Sequence, residues 1–200
     1  MGAPAESVWA SYHAGRTGPC ARGHVMQHYD LLLVRHAIAA ERGTAWPDDN
    51  ERPLTTRGVE RFRLAASGIA QLNVFVDEVW TSPLRRAQQT ADLLAAALPE
   101  RPSVNTLDAL SPGCAARAVI NRVREVATAP RLSLVGHEPD LGELAAYLLG
   151  AREPLPFRKG GACLISLVSL APPFHARLQW FLPPRVLRRL SGHAKSLKTL

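Results

Sequence analysis

The sequence has few cysteines and no long apolar run. Its three cysteines, Cys20, Cys114 and Cys163, are widely spaced and form no Cys-x-x-Cys pair. This pattern argues against a disulfide scaffold and a cysteine zinc site, and it favours a reducing cytoplasm. No apolar run approaches the ~18 residues of a membrane-spanning helix, so a membrane span is excluded. With 46% hydrophobic and 20% charged residues, the 200-residue chain has the composition of one globular domain with tails.

Acidic residues are missing from the C-terminal segment. The formal net charge is +7, yet residues 29–171 carry sixteen basic and sixteen acidic side chains. Residues 172–200 carry six basic side chains and no acidic one. Because the basicity belongs to one segment and not to the whole surface, a nucleic-acid-binding domain is disfavoured. The segment could still contact phosphates or acidic lipids.

The chain divides into three predicted parts. Residues 1–28 show no hydrophobic period and lack the apolar stretch of a secretory signal, so we predict a flexible N-terminal extension. Met26 is an alternative start, because the first predicted strand follows it at once. Residues 29–182 form the predicted domain. Residues 183–200 are predicted to be a basic C-terminal tail that forms at most a short amphipathic helix.

Short apolar runs alternate with helical stretches over the predicted domain. Residues 31–34 and 132–135 are continuous apolar runs, which are typical of strands buried on both faces. Further strands are predicted at residues 74–80, 162–168 and 175–182, and helices at residues 56–72, 83–98, 111–127 and 140–149. This order predicts an α/β fold, a three-layer α/β/α sandwich around a mostly parallel sheet with an antiparallel edge strand.

Polar residues follow two of these buried strands at their carboxyl ends. Arg35 and His36 follow the first strand, and Gly136, His137 and Glu138 follow the strand that comes later in the chain. In an open α/β sheet, ligands bind outside the carboxyl ends of the strands. Both histidines are therefore expected to face one crevice.

Two further arginines stand beside the beginnings of helices. Arg52 precedes the first predicted helix, and Arg86 lies in the first turn of the second. Helix N-termini and arginine side chains both favour anions. Together with Arg35, His36 and His137, these residues predict a phosphate-binding pocket.

Four separated segments carry a family resemblance. The sequence resembles the histidine phosphatase superfamily, which has the phosphoglycerate mutase-like fold. Residues 33–37 (LVRHA) resemble its RHG/RHA signature, and residues 82–90 (SPLRRAQQT) resemble its SPLxRAxQT element. Residues 52–58 (RPLTTRG) are similar to the RPLTxxG element of its short members, and residues 136–139 (GHEP) resemble its second histidine motif. Their order and spacing agree over roughly residues 29–180.

The resemblance implies a role for each motif residue. His36 would be the nucleophile and form a phosphohistidine intermediate that water then hydrolyses. Arg35 and Arg86 would bind the equatorial phosphoryl oxygens, with His137 completing the cage, whereas Arg85 would be a solvated helix residue. No metal and no other cofactor is required in that scheme.

The segment after the second helix departs from the pattern of most members. Those members place a carboxylate there that protonates an alcohol leaving group, whereas here Asp108 is the only carboxylate nearby. Residues 107–113 (LDALSPG) are instead similar to the LxxLxPxG stretch of the small SixA-type phosphohistidine phosphatases. A phosphoramidate needs less help, because its nitrogen leaves easily once it is protonated. We therefore expect a metal-independent phosphohistidine phosphatase, whose partner is a phosphorylated protein such as a histidine-phosphotransfer domain.

Other functions remain open at this point. A phosphatase for a small-molecule phosphate ester or nucleotide would use Glu138 or Asp108 as its general acid. A non-catalytic module would only bind a phosphorylated partner, although it would not need the pair His36 and His137. A mutase is less expected, because a chain of this length has few residues left to enclose a diphosphorylated sugar acid.

Three side chains have open roles. Glu138 either contacts the substrate or supports the surrounding loops. Ser82 is interpreted as a helix N-cap. Arg52 either binds the substrate or pairs with one of its acidic neighbours Asp48, Asp49 and Glu51.

Overall fold

The computed structural model describes residues 28–196, with side chains as far as residue 192. The predicted N-terminal extension and the alternative start at Met26 therefore lie outside the described residues, apart from residue 28. Strands and helices follow one another as β1 (Tyr29–Arg35), α1 (Thr56–Ala70), β2 (Glu78–Thr81), α2 (Arg85–Ala97), β3 (Ser103–Thr106), α3 (Ala116–Val126), β4 (Arg131–Gly136), α4 (Asp140–Leu149), β5 (Ala162–Leu167), β6 (Ala176–Leu182) and α5 (Pro184–Ser196).

One six-stranded sheet forms the centre of the molecule, in the order β3-β2-β4-β1-β5-β6. The four strands from β3 to β1 pair in parallel. Strand β5 runs antiparallel to β1, and the edge strand β6 runs antiparallel to β5. The prediction of a mostly parallel sheet with an antiparallel edge strand is therefore confirmed.

Helices cover both faces of this sheet. On one face, α1, α2 and Leu187 of α5 enclose a core that includes Leu32 and Val34 of β1. On the other face, α3 and α4 enclose a core that includes Leu31 and Leu33. Because successive strand side chains point to opposite faces, the continuous apolar run of β1 fills both cores. The predicted three-layer α/β/α sandwich is confirmed.

One strand was not predicted from the sequence, and the predicted start of one helix was wrong. Strand β3 was not predicted, since Ser103–Thr106 carries mostly polar residues and pairs only with β2 at the sheet edge. The third helix begins at Ala116 and not at residue 111. Its expected first turn is occupied by Gly113, whose positive φ of 88° lies in the left-handed region and interrupts a helix.

The C-terminal basic segment contains helix α5, which packs against α1. At Gly68 an added Cβ would lie 1.9 Å from the carbonyl oxygen of Leu187, so the two backbones approach each other directly. The Leu187 side chain is buried in the same core. Part of the segment predicted as a tail thus contributes to one outer layer of the sandwich.

No helix within residues 28–196 is long and apolar enough to cross a membrane. Cys114 and Cys163 are both free thiols, and Cys163 is buried. The reducing cytoplasm that the cysteine pattern favours stays a prediction.

The contact at Gly68 predicts a large effect of a single methyl group. We expect Gly68→Ala to lower the free energy of unfolding by about 1–3 kcal/mol, because the Cβ overlaps the backbone of Leu187. Urea unfolding measures this change. The matched control is Gly192→Ala in α5, where nothing lies within 4 Å of the added Cβ. That variant should gain stability, by about 0.5–1 kcal/mol, from helix propensity alone. Equal stabilities for the two variants would contradict the close packing of α5 on α1.

Candidate active site

A cavity of about 390 Å³ opens at the carboxyl ends of β1 and β4. The register of these two strands places Arg35 opposite Gly136, so the residues that follow them lie side by side. The backbone N–H of His36 donates to the carbonyl of Gly136 at 3.0 Å and extends this pairing beyond the strands. The cavity is lined by Arg35, His36, Ala39, Ala40, Glu41, Arg42, Arg52, Arg86, Pro112, His137, Glu138 and Lys159.

The two histidines meet in this cavity, as the sequence predicted. The ring centroids of His36 and His137 are 5.0 Å apart, and the rings are tilted by 54°. Both side chains are buried. Nδ1 of His36 donates to the carbonyl of Ala37 at 2.8 Å, because a carbonyl oxygen can only accept. In the neutral ring this leaves the lone pair on Nε2.

Ser82 is a partner of the second histidine and not the predicted helix N-cap. A hydrogen bond of 2.8 Å joins its Oγ to Nε2 of His137. The same oxygen accepts the backbone N–H of Leu84, but the N-cap of α2 is Leu84 itself, so the prediction of Ser82 as the N-cap was wrong. Strand β2 positions this residue, since its register continues to the bond between Ser82 N and the carbonyl of Val135. A hydroxyl following a short strand gives no sequence signal for this contact.

Burial keeps both imidazoles neutral. Burial lowers the pKa of His36 from 6.5 to about 3, and the proximity of His137 acts in the same direction. Burial and the charge of Arg86 lower the pKa of His137 from 6.5 to about 4. A neutral histidine has a lone pair that can attack phosphorus, which a protonated histidine lacks.

Two arginines flank the histidines with unused donors. Nη1 of Arg35 donates to the carbonyl of Phe157 at 2.6 Å, and Nη1 of Arg86 donates to the carbonyl of Asp49 at 2.7 Å. The Nε atoms of Arg35 and Arg86 are both buried without a hydrogen-bond partner. A buried N–H without an acceptor costs about 1–3 kcal/mol, so such groups call for an explanation.

Asp49 holds three arginines in place around the cavity. Its carboxylate pairs with Nε of Arg42 at 3.0 Å, with Nε of Arg52 at 2.9 Å and with Nη2 of Arg86 at 3.0 Å. Partial burial opposes ionisation, but the hydrogen bond from Arg52 and the positive charges lower the pKa of Asp49 to about 2. Arg52 pairs with Asp49 and also lines the cavity, and its binding of substrate stays a prediction. Its partner is Asp49, the second of the three candidates.

Glu138 lines the same cavity and also ties down a loop. Its Oε1 accepts the backbone N–H of Phe157 at 3.2 Å, while its Oε2 is buried without a partner. Burial raises the pKa of Glu138, although the charge of Arg35 acts in the opposite direction. The backbone of Phe157 therefore connects Glu138 to Arg35, since its N–H donates to Glu138 and its carbonyl accepts from Arg35.

The remaining polar residues divide into those that line the cavity and those that lie outside it. Asp108 lies in a short 3-10 helix, is exposed and does not line the cavity. Arg85 is 47% exposed and reaches Glu51 at 3.8 Å, so it is the solvated helix residue that the motif register implied. Sequence reasoning missed Arg42 and Lys159 in the cavity lining, since both lie in loops without a period. Within the described part of the chain, no group of three His, Cys, Asp or Glu side chains is arranged to hold a metal ion.

Comparisons with known proteins agree with this geometry. The chain is 43% identical over 119 residues to an uncharacterized protein of Picosynechococcus sp., a match that spans 58% of this chain and 70% of that protein. It is 27% identical over 140 residues to the phosphohistidine phosphatase SixA of Escherichia coli strain K12, with 68% of this chain and 84% of that protein covered.

Solved structures resemble the whole sandwich. The protein histidine phosphatase SixA in complex with tungstate superposes with a TM-score of 0.69 and 25% identity, covering 79% of this chain and 99% of that one. A phosphoglycerate mutase from Bacillus anthracis superposes with a TM-score of 0.62 at 11% identity, covering 82% and 97%. The second likeness shows the fold alone, and it confirms the phosphoglycerate mutase-like architecture.

The family model of the histidine phosphatase superfamily (branch 1) matches residues 31–111. This segment contains the first three of the four motifs, and the fold brings the fourth beside them. The resemblance read from the sequence is confirmed. The chain belongs to the histidine phosphatase superfamily and is a phosphatase.

Proposed function

We propose that this phosphatase hydrolyses phosphohistidine on a protein, through a covalent phosphohistidine intermediate on His36. Its catalytic residues are Arg35, His36, Arg86 and His137, with Arg52 and Glu138 at the edge of the substrate site. The scheme requires no metal, because arginine side chains supply the positive charge that the phosphoryl group needs.

One observation carries the proposal. The buried Nε–H groups of Arg35 and Arg86 have no acceptor, and they flank a neutral histidine in the same cavity. A phosphoryl group offers three equatorial oxygens, which accept such donors and develop charge in the transition state. The complex of SixA with tungstate, a tetrahedral oxyanion, agrees with this assignment.

The nucleophilic step uses the free lone pair of His36. Because Nδ1 is held by the carbonyl of Ala37, Nε2 attacks phosphorus. The Nε2–P bond forms as the P–N bond of the substrate breaks, and the leaving imidazole keeps the electron pair of that bond and takes up a proton. Water then attacks the phosphohistidine of His36, inorganic phosphate leaves, and the imidazole is restored. The ring of His137 lies 5.0 Å from that of His36, and it donates to the phosphoryl oxygens once the bound dianion has raised its proton affinity.

The chemistry of the leaving group favours a phosphoramidate. Asp108, at the place where most members carry their acid, is exposed and lies outside the cavity. The bridging nitrogen of a phosphoramidate is more basic than the bridging oxygen of a phosphate ester. It is therefore more easily protonated before the leaving group departs. The match to the phosphohistidine phosphatase SixA over 84% of its length supports the same substrate class.

A small phosphate ester is the second candidate substrate. Glu138 is the observation that favours it, because this carboxyl lines the cavity, has a raised pKa and leaves Oε2 without a partner. A protonated carboxyl of this kind could protonate an alkoxide leaving group.

The first test compares three substrates. Wild type should release phosphate from a phosphorylated histidine-phosphotransfer domain in the presence of EDTA, and more slowly from a phosphoserine peptide and an aryl phosphate. His36→Ala should reduce all releases to less than about one thousandth, since the nucleophile is gone. Rapid quenching should trap an acid-labile, base-stable phosphoenzyme in wild type only.

Three results of that experiment would count against the proposal. Activity that survives His36→Ala would exclude this residue as the nucleophile. Faster release from the phosphoserine peptide would transfer the assignment to an ester phosphatase. Absence of release from all three substrates would favour a module that only binds phosphorylated partners.

Neighbouring arginines provide a matched pair of variants. We expect Arg86→Gln to lower kcat/KM by about 100-fold to 1000-fold, because a buried donor to the phosphoryl oxygens is lost. Arg85→Gln removes the same charge one residue earlier, on an exposed side chain, and should change kcat/KM by no more than about twofold. Steady-state kinetics on the phosphorylated domain distinguish the two, and equal losses would exclude the site role of Arg86.

The neutral histidines predict an acid-sensitive fold. Because the pKa values of His36 and His137 are lower in the folded chain than the ordinary 6.5, the unfolded chain binds more protons below pH 6.5. Their stabilising contribution is complete above that pH and is lost as the pH falls towards their folded pKa values. Each histidine should contribute a loss of about 2 kcal/mol between about pH 7 and pH 5.

Urea unfolding at the two pH values checks this expectation. His36→Asn should lose less stability on acidification than wild type, by the contribution of one histidine. The control His175→Asn replaces an exposed histidine outside the cavity and should keep the wild-type acid sensitivity. Identical pH dependence in wild type and His36→Asn would show that His36 is not buried in its neutral form.

A further inference from the structure

The last 47 residues of the chain contain no acidic residue. Glu153 is the final carboxylate of the sequence, whereas eight lysines and arginines follow it. Strands β5 and β6 and helix α5 are built from this segment, at one edge of the sheet. Any acidic side chain on that side of the molecule therefore belongs to elements other than β5, β6 and α5.

This basic segment begins at the active-site cavity. Lys159 lines the cavity, and the charge of its neighbour Arg158 acts on Arg35. The following turn lies against the start of α5, because Cβ atoms added at Gly160 and Gly161 would lie 3.9 Å and 3.4 Å from Pro184. Arg158 and Lys159 are exposed. The cavity mouth and the first turn of α5 are thus adjacent.

Three arginines continue the positive surface along α5 and α1. Burial lowers the pKa of Arg188, and the positive charges of Arg61 and Arg185 lower it further. Arg185 is exposed, while Arg61 and Arg188 are half-buried. We call the surface formed by these residues the basic ridge; it comprises Arg61, Arg158, Lys159, Arg185 and Arg188.

The ridge is a cluster of cations without a paired acidic side chain in the described chain. Within residues 28–192, no carboxylate lies at ion-pair distance from any ridge residue. In contrast, Asp49 neutralises three cavity arginines, and Asp77 pairs with Arg131. Like charges held together without an acid repel each other, and an external anion relieves that repulsion.

We infer that the basic ridge docks an acidic face of the phosphorylated substrate protein beside the cavity. This inference rests on the proposed function, because it assigns the surface that presents the phosphohistidine to His36. A substrate protein must approach the cavity mouth, where the ridge begins, and opposite charge steers that approach and raises the rate of encounter about 10-fold to 1000-fold.

The ridge fits a protein better than a membrane or a nucleic acid. Of the large apolar residues that are exposed in the described chain, only Val186 belongs to α5, whereas membrane-surface helices present a broad apolar face. The exposed aromatic side chains are Phe75 and Tyr147, neither of which lies on α1 or α5, so the ridge lacks a stacking platform for bases.

The test uses two substrates with the same leaving group. These are an acidic histidine-phosphotransfer domain carrying phosphohistidine, and the free amino acid phosphohistidine. At about 0.01 M ionic strength, R185E/R188E should lower kcat/KM for the domain by at least about 10-fold, mainly through KM. The same variant should leave hydrolysis of free phosphohistidine within about twofold of wild type, and the loss should shrink at high salt.

A matched control carries the same change in net charge. R117E/R124E reverses two exposed arginines of α3, on the other face of the sheet, and should keep wild-type kinetics with both substrates. Should R185E/R188E unfold, R185Q/R188Q removes the charge without reversing it and should give a smaller loss of the same kind. Circular dichroism melting confirms that each variant is folded.

Several outcomes would contradict docking of the substrate protein on the basic ridge. Equal losses in the α5 and α3 variants would mean that only net charge matters, and parallel losses with free phosphohistidine would mean that the cavity is disturbed. Binding of anionic vesicles or duplex DNA, but not of the acidic domain, would assign the ridge to another partner.

If wild type hydrolyses only an aryl phosphate, the proposed function fails. Binding of the unphosphorylated acidic domain to wild type but not to R185E/R188E would still support the ridge, and equal binding to both would reject it.

Discussion

The parallel pairing of β1 with β4 is the interaction on which the active site depends. Its register sets Arg35 opposite Gly136, and the bond from His36 N to the carbonyl of Gly136 carries the pairing one residue further. The two histidines therefore meet although they are distant in the sequence. Because side chains alternate along a strand, a slip of one residue would turn these groups to the other face of the sheet.

Around this pair, the protein assembles positive charge with few compensating anions. Burial among arginines keeps His36 and His137 neutral, and it leaves buried Nε–H groups beside them. Asp49 neutralises part of that charge and orients the guanidinium groups, yet its carboxylate reaches only one side of Arg86. The phosphoryl group of a substrate supplies the acceptors that the folded chain does not. The basic ridge repeats the same principle on the scale of a protein surface.

Much of the fold follows from local patterns. The apolar runs of β1 and β4 and the helical period of α1 are strong because those elements face the core, and their positions were predicted. Strand β3 was missed because an edge strand with one partner needs little apolar character. The start of α3 was misplaced because Gly113 adopts a left-handed conformation that residue types alone do not reveal. The motif residues Arg35, His36, Arg86 and His137 were found because each stands at the end of a strand or the start of a helix.

By itself, the sequence determined the family, the two histidines, the arginines and the lack of acid beyond Glu153, since these depend on residue identity and order. Only the tertiary structure decided that Asp49 binds three arginines, that Ser82 contacts His137 and that the turn after Lys159 lies against the start of α5. The physical reason is the range of the forces involved. An apolar period involves residues that are close together in the sequence. These contacts instead form between segments that are distant in the sequence and meet only once the strands have paired into the sheet.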